Sequence, residues 1–82
     1  MLNLKKGGNT MYKRIKELRE DNDKLQKEIS KELQITQQQY SLYEKGIRLL
    51  PIDMLKKLAK FYNVSTDYIL ELTDDPKQYK RK

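Results

Sequence analysis

Gln26-Lys27-Glu28-Ile29-Ser30-Lys31-Glu32-Leu33-Gln34-Ile35-Thr36-Gln37-Gln38-Gln39-Tyr40-Ser41-Leu42-Tyr43-Glu44-Lys45-Gly46 is the stretch that decides the fold of this chain. Ile29 and Leu33 are spaced for one face of a short helix, here Leu25–Leu33, whose inward residues are Leu25, Ile29 and Leu33. Gln34-Ile35 is a turn. Thr36 is a good N-cap for a further helix, Gln37–Lys45, with Gly46 just past its end. That helix opens with three consecutive glutamines. At about 100° per residue, Tyr40 and Tyr43 share one face and pack inward. Gln38, Ser41, Leu42 and Lys45 then point away, with Gln37 at the N-terminal edge and Gln39 on the flank.

Working outward, Tyr12–Asn22 reads as a helix with Ile15 and Leu18 on one face. Asp21-Asn22-Asp23 stops it, and Asn22 or Asp23 can cap the next helix. On the other side, Ile47 to Leu50 form a loop, and Pro51 suits the first turn of a helix running to Tyr62. Met54, Leu55, Leu58, Ala59 and Tyr62 are its apolar face. Ser65 caps a last helix, Thr66–Leu72, carrying Tyr68, Ile69 and Leu72. No strand pattern appears, so the expectation is all-α with five helices. Residues 1–10 have no periodicity and read as a flexible leader, residues 11–73 as the domain, and residues 74–82 as a charged tail. A purine-rich codon run encoding Lys6-Gly7-Gly8 would also make Met11 a natural start, which N-terminal sequencing would test.

Ile15, Leu18, Asn22, Leu25 and Ile29 also fit a heptad pattern, which would make Tyr12–Leu33 one coiled-coil helix. The pattern lasts about two heptads, short of the three or four a coiled coil needs. The Asp-Asn-Asp run argues for a break.

The 82 residues contain no Cys and no His and carry a net charge of +6. That length allows one small domain. Without Cys or His there is no thiolate or imidazole metal site and no Ser-His or Cys-His nucleophile pair, so no metal, no cofactor and no enzyme activity are expected. No apolar run is long enough to span a membrane, residues 1–10 lack a signal core, and a cytoplasmic location is expected. The basic excess suits a polyanion. Lys outnumbers Arg by 14 to 4, which favours point-charge contacts with phosphate over bidentate arginine reading.

From Tyr12 to Pro76 the chain resembles the Cro/C1-type (XRE family) helix-turn-helix domains of phage repressors. The resemblance is carried by Arg14-Ile15-Lys16-Glu17-Leu18-Arg19-Glu20, Gln26 and Ile35-Thr36-Gln37-Gln38. It continues through Tyr43-Glu44-Lys45-Gly46, Leu50-Pro51, Leu58-Ala59, Asn63-Val64-Ser65 and Asp67-Tyr68. It departs at Lys24-Leu25, where Leu-Thr is usual, at Ser30, where a small Ala is common, and at Gln34, where the turn glycine stands. A left-handed Gln34 costs about 1 kcal/mol.

The resemblance implies a compact lambda-repressor-like fold binding double-stranded DNA as a transcriptional regulator. That regulator is expected to be a repressor acting as a homodimer on a palindromic operator. In that docking mode the N-terminal part of helix 3 meets base edges. Gln37, Gln38, Ser41 and Leu42 are then the base readers: glutamine pairs with adenine N6 and N7, and Leu42 suits a thymine methyl. Gln26, Gln39, Lys45 and Arg48 are candidate phosphate contacts. The family also implies an Arg19–Glu44 ion pair of structural role and a dimer surface near the last two helices. Leu70, Tyr62 and Leu72 are candidates there, Leu70 foremost because it lies off the Ile69–Leu72 face. Tyr62 and Leu72 also fit ordinary core. A polar helix face that is merely solvated is the plain alternative for the glutamines, as a scattered surface residue is for Leu42. An antitoxin or anti-repressor module, acting through protein contacts on the same fold, is the alternative function.

Overall fold

A computed structural model describes residues 12–78. Expectations about a leader and about Met11 lie outside those residues. Five helices follow in order: α1 (Lys13–Asp21), α2 (Gln26–Leu33), α3 (Gln37–Glu44), α4 (Ile52–Tyr62) and α5 (Thr66–Ile69). There is no strand among the described residues. The all-α expectation therefore holds.

All five helices end the same way. A left-handed residue stands one or two positions past each helix: Gln34 (φ 61°) and Asn63 (59°) directly after α2 and α4, and Asp23 (56°), Gly46 (74°) and Glu71 (64°) one position further on after α1, α3 and α5. Each reversal is closed by paired backbone bonds. After α2 they run from Ile35 N to Ser30 O at 3.0 Å and from Gln34 N to Lys31 O at 3.1 Å. After α3 they run from Ile47 N to Leu42 O and from Gly46 N to Tyr43 O, both 3.0 Å. This pairing satisfies carbonyls that would otherwise be orphaned at a helix end. Gly46 takes the left-handed angles without steric cost, whereas each residue with a Cβ pays about 1 kcal/mol. Gln34 does so where the family has glycine, and the short turn between α2 and α3 survives the change.

The chain breaks between α1 and α2, so the continuous coiled-coil helix is excluded. The break differs from expectation in one respect. Neither Asn22 nor Asp23 caps α2: Asp23 closes α1, and Leu25 occupies the N-cap position. The backbone N–H of Leu25 donates to the Glu28 carboxylate at 2.8 Å instead. Leu25 thus sits before the first helical residue with an extended backbone, and its side chain is 64% exposed and not inward. The expected caps on α3 and α5 are present, Thr36 accepting from Gln39 N and Ser65 from Tyr68 N.

Tyr12, Ile15, Ile29, Leu33, Tyr40, Tyr43, Leu50, Leu55, Leu58, Ala59, Val64 and Ile69 form one core. The backbone N–H of Leu50 donates to the Tyr12 hydroxyl at 3.1 Å, tying the α3–α4 loop to the start of α1. α5 ends at Ile69, earlier than the sequence suggests. Glu71 then reverses the chain, so the helical spacing that would turn Leu72 inward no longer applies, and Leu72 is 72% exposed. Residues 74–78 do not hang free as a tail. Ser65 N donates to Pro76 O at 2.9 Å, and Gln78 Nε2 donates to Val64 O at 3.0 Å.

Candidate nucleic-acid interface

The two faces of α3 are built differently. Tyr40 and Tyr43 are fully buried, as the wheel requires. Glu44 is buried with them, and its carboxylate is the hub of a polar cluster. Arg19 Nε donates to Oε2 at 2.7 Å and Arg19 Nη2 to Oε1 at 3.2 Å, giving the bidentate pair the resemblance implies. The Tyr40 hydroxyl donates to Oε2 at 2.6 Å, and Gln26 Nε2 donates to Oε1 at 3.0 Å. Arg19 has one further bond, from Nη1 to Lys24 O at 3.0 Å. One side chain therefore fastens α3 to α1 and α2 together.

The charges fit this geometry. Burial alone would push the Glu44 carboxyl upward. The bonds from Arg19, Tyr40 and Gln26 outweigh it and hold the group below its ordinary value. The hydrogen bond with Glu44 raises Arg19, and burial followed by the same carboxylate raises Tyr40. A buried charge is tolerable only with this degree of pairing.

Tyr40 and Glu44 were visible in the sequence as neighbours four apart on one helix. The joining of Gln26 to them was not, because it depends on how α2 lies against α3.

The opposite face is open. Gln37, Gln38, Ser41, Leu42 and Lys45 line one surface concavity, with Gln26 of α2 on its wall. Gln37, Gln38 and Lys45 are exposed, while Ser41 and Leu42 are half-buried. Leu42 thus lines the concavity beside the amides. All four candidate base readers share this surface. Of the four candidate phosphate contacts it gathers two, Gln26 and Lys45. Gln39 lies outside, half-buried, with its amide 3.5 Å from the Tyr43 hydroxyl. Arg48 is exposed in the loop after α3 and lines neither this concavity nor the next.

That neighbouring concavity extends from Gln26 and Lys45 to Lys13 and Lys16 on α1. Sequence reasoning assigned no contact to these two lysines. Their spacing of three on α1 was the available signal, but it gave no hint that α1 would border the amide face.

Two short helices joined by a tight turn, with the second presenting its N-terminal amide side chains, are the arrangement of a helix-turn-helix. The helix-turn-helix family profile matches residues 15–69. The chain belongs to that family, in its Cro/C1 (XRE) type. Two relatives from Bacillus subtilis (strain 168) are similar over most of this chain. The uncharacterized HTH-type transcriptional regulator YobD is 39% identical over 67 residues, 80% of this chain and 60% of that protein. The HTH-type transcriptional regulator ImmR is 45% identical over 61 residues, 74% of this chain and 48% of that protein. The chain spans between about half and three-fifths of the length of these relatives. As a member of this helix-turn-helix family the domain is a DNA-binding module and not an enzyme. Among the described residues no helix is long and apolar enough to cross a membrane.

Proposed function

We propose that this chain is a sequence-specific regulator of transcription, a repressor that binds a palindromic operator as a homodimer. The observation that supports this most is the division of α3: its buried face is locked by Glu44, and its open face presents amides, a hydroxyl and a leucine in one concavity. Gln37 and Gln38 hydrogen-bond base edges in the major groove, with adenine as the bidentate partner. Ser41 accepts or donates beside them, and Leu42 meets a thymine methyl. Gln26, Lys45, Lys16 and Lys13 hold phosphates along the rim, and Gln39 and Arg48 do so outside it. Occupying a promoter then excludes polymerase without any chemistry.

One such module reads only a few base pairs. Two copies related by a two-fold axis would reach half-sites about 34 Å apart. Leu70 and Leu72, both solvent-exposed, are the proposed contact, with the half-buried Tyr62 as the third candidate. Selection of bound duplexes from random DNA tests the reading. A palindromic consensus with A·T pairs under each α3 is expected. Recovery of no consensus would sink DNA reading and favour the protein-interaction alternative.

A further inference from the structure

Arg14 leaves α1 and reaches the far end of the chain. Its Nη1 donates to Tyr68 O at 3.0 Å and to Thr73 O at 3.2 Å. Its Nη2 donates to Asp74 Oδ1 at 2.8 Å, and the guanidinium carbon lies 4.2 Å from the centre of the Tyr68 ring. The two carbonyls stand on either side of the reversal that follows α5. Within that reversal Glu71 holds left-handed angles, with Lys13 Nζ 4.0 Å from its carboxylate.

The segment beyond is fixed as well, by the bond from Ser65 to Pro76 and those from Gln78 to Val64 O and Ala59 O. Between the anchors sit Leu70, 37% exposed, and Leu72, 72% exposed. Arg14 thus holds the backbone on both sides of the two leucines, at Tyr68 O and Thr73 O. The clamp therefore keeps two apolar side chains in water, which gains the monomer nothing. The ionic rim beside them carries both signs, Lys13 and Glu71, so the patch can face its own copy across a two-fold axis without repulsion.

We infer that Arg14 is a positioning residue for self-association: it fixes residues 70–72 in the shape that presents Leu70 and Leu72 to a second copy of the chain. The inference rests on the homodimer reading above. Its guanidinium fork serves three acceptors at once, which a lysine ammonium on a flexible stem does not reproduce.

Sedimentation equilibrium of the whole chain tests it, with urea unfolding run in parallel. The wild type is expected to dimerise, and Leu72→Asp to abolish the dimer. Arg14→Gln and Arg14→Lys are expected to raise the dimer dissociation constant about tenfold while remaining folded, since the turn must now be ordered on binding. Should Arg14→Gln fail to fold, Arg14→Lys decides alone. A lower unfolding midpoint with a dimer constant unchanged within about twofold would make Arg14 a structural staple and overturn the inference. A wild-type chain that stays monomeric at every concentration fails earlier and differently: it removes the homodimer reading itself, and this inference with it.

Discussion

The two sides of α3 make opposite use of polar groups. On the inner side Tyr40 and Glu44 turn their polar groups to protein partners: four hydrogen bonds converge on one carboxylate. On the outer side Gln37 and Gln38 have no protein hydrogen-bond partner among the side-chain bonds of the described residues, and both are exposed. A satisfied polar group specifies a structure, while an unsatisfied one at a concave surface is available to a ligand. The difference separates positioning from reading along a single helix. Gln26 straddles the division, its amide nitrogen held by Glu44 while its side chain walls the open concavity.

The largest test of that division is Glu44→Ala. It strands the Arg19 guanidinium, whose side chain is only 13% exposed, and orphans the Tyr40 hydroxyl. A loss of about 3–5 kcal/mol is expected, enough to unfold a small domain, measured by urea denaturation. A loss below about 1 kcal/mol would mean that the inner side is not what holds α3. Acid acts on the same group. Because the folded-state value of Glu44 lies below its ordinary 4.5, its contribution is complete above that value and is lost as the pH falls through the lower folded one. Acid unfolding should therefore shift to higher pH in Arg19→Gln, where the carboxylate loses its strongest partner.

Gln38→Ala is the matching test of the outer side. It should weaken binding to a selected site by about 1–3 kcal/mol and relax preference at one base pair. Stability should stay within about 0.5 kcal/mol of wild type, because the residue is exposed and has no side-chain hydrogen bond among the described residues. Uniform weakening across all duplexes would remove Gln38 from the readers.

How much of this division was legible beforehand depends on range along the chain. The helices, the Thr36 and Ser65 caps and the burial of Tyr40 and Tyr43 follow from spacing within a few residues. Local reading failed where a backbone reversal intervened. Leu25 was placed inward by helical spacing, yet it lies before α2 begins. Leu72 shared a wheel with Ile69, yet Glu71 ends the wheel between them. Contacts across long separations, Arg14 with Thr73 and Gln26 with Glu44, have no local signature at all. Arg19–Glu44 was anticipated only through the family.

A smaller effect is expected at Tyr62, on the inner side. Among the described residues its hydroxyl is the one buried side-chain polar atom without a hydrogen-bond partner. Burial, followed by the nearby Glu44 charge, pushes its ionisation upward, so it stays neutral at every ordinary pH. Tyr62→Phe should be neutral or stabilising by up to about 1 kcal/mol, because nothing is lost when an unpaired group is removed. A clear loss in urea unfolding would show that the hydroxyl has a partner and that the inner side is more extensive than its Glu44 hub.

The smallest effect belongs to Lys45, at the C-terminal end of the open face. It is exposed and has no ion-pair partner among the described residues, so replacing it should leave stability unchanged. Its charge matters only where phosphates lie. Lys45→Ala should reduce the salt slope of binding by about one unit, with base preference intact. Gln38→Ala should do the reverse, altering base preference at constant slope. If both variants changed slope and preference together, the outer face would not divide into readers and clamps, and the concavity would act as one undifferentiated surface. An unchanged slope in Lys45→Ala, with Lys16→Ala changing it instead, would move the phosphate track from α3 onto α1 and leave the amide face as the reader.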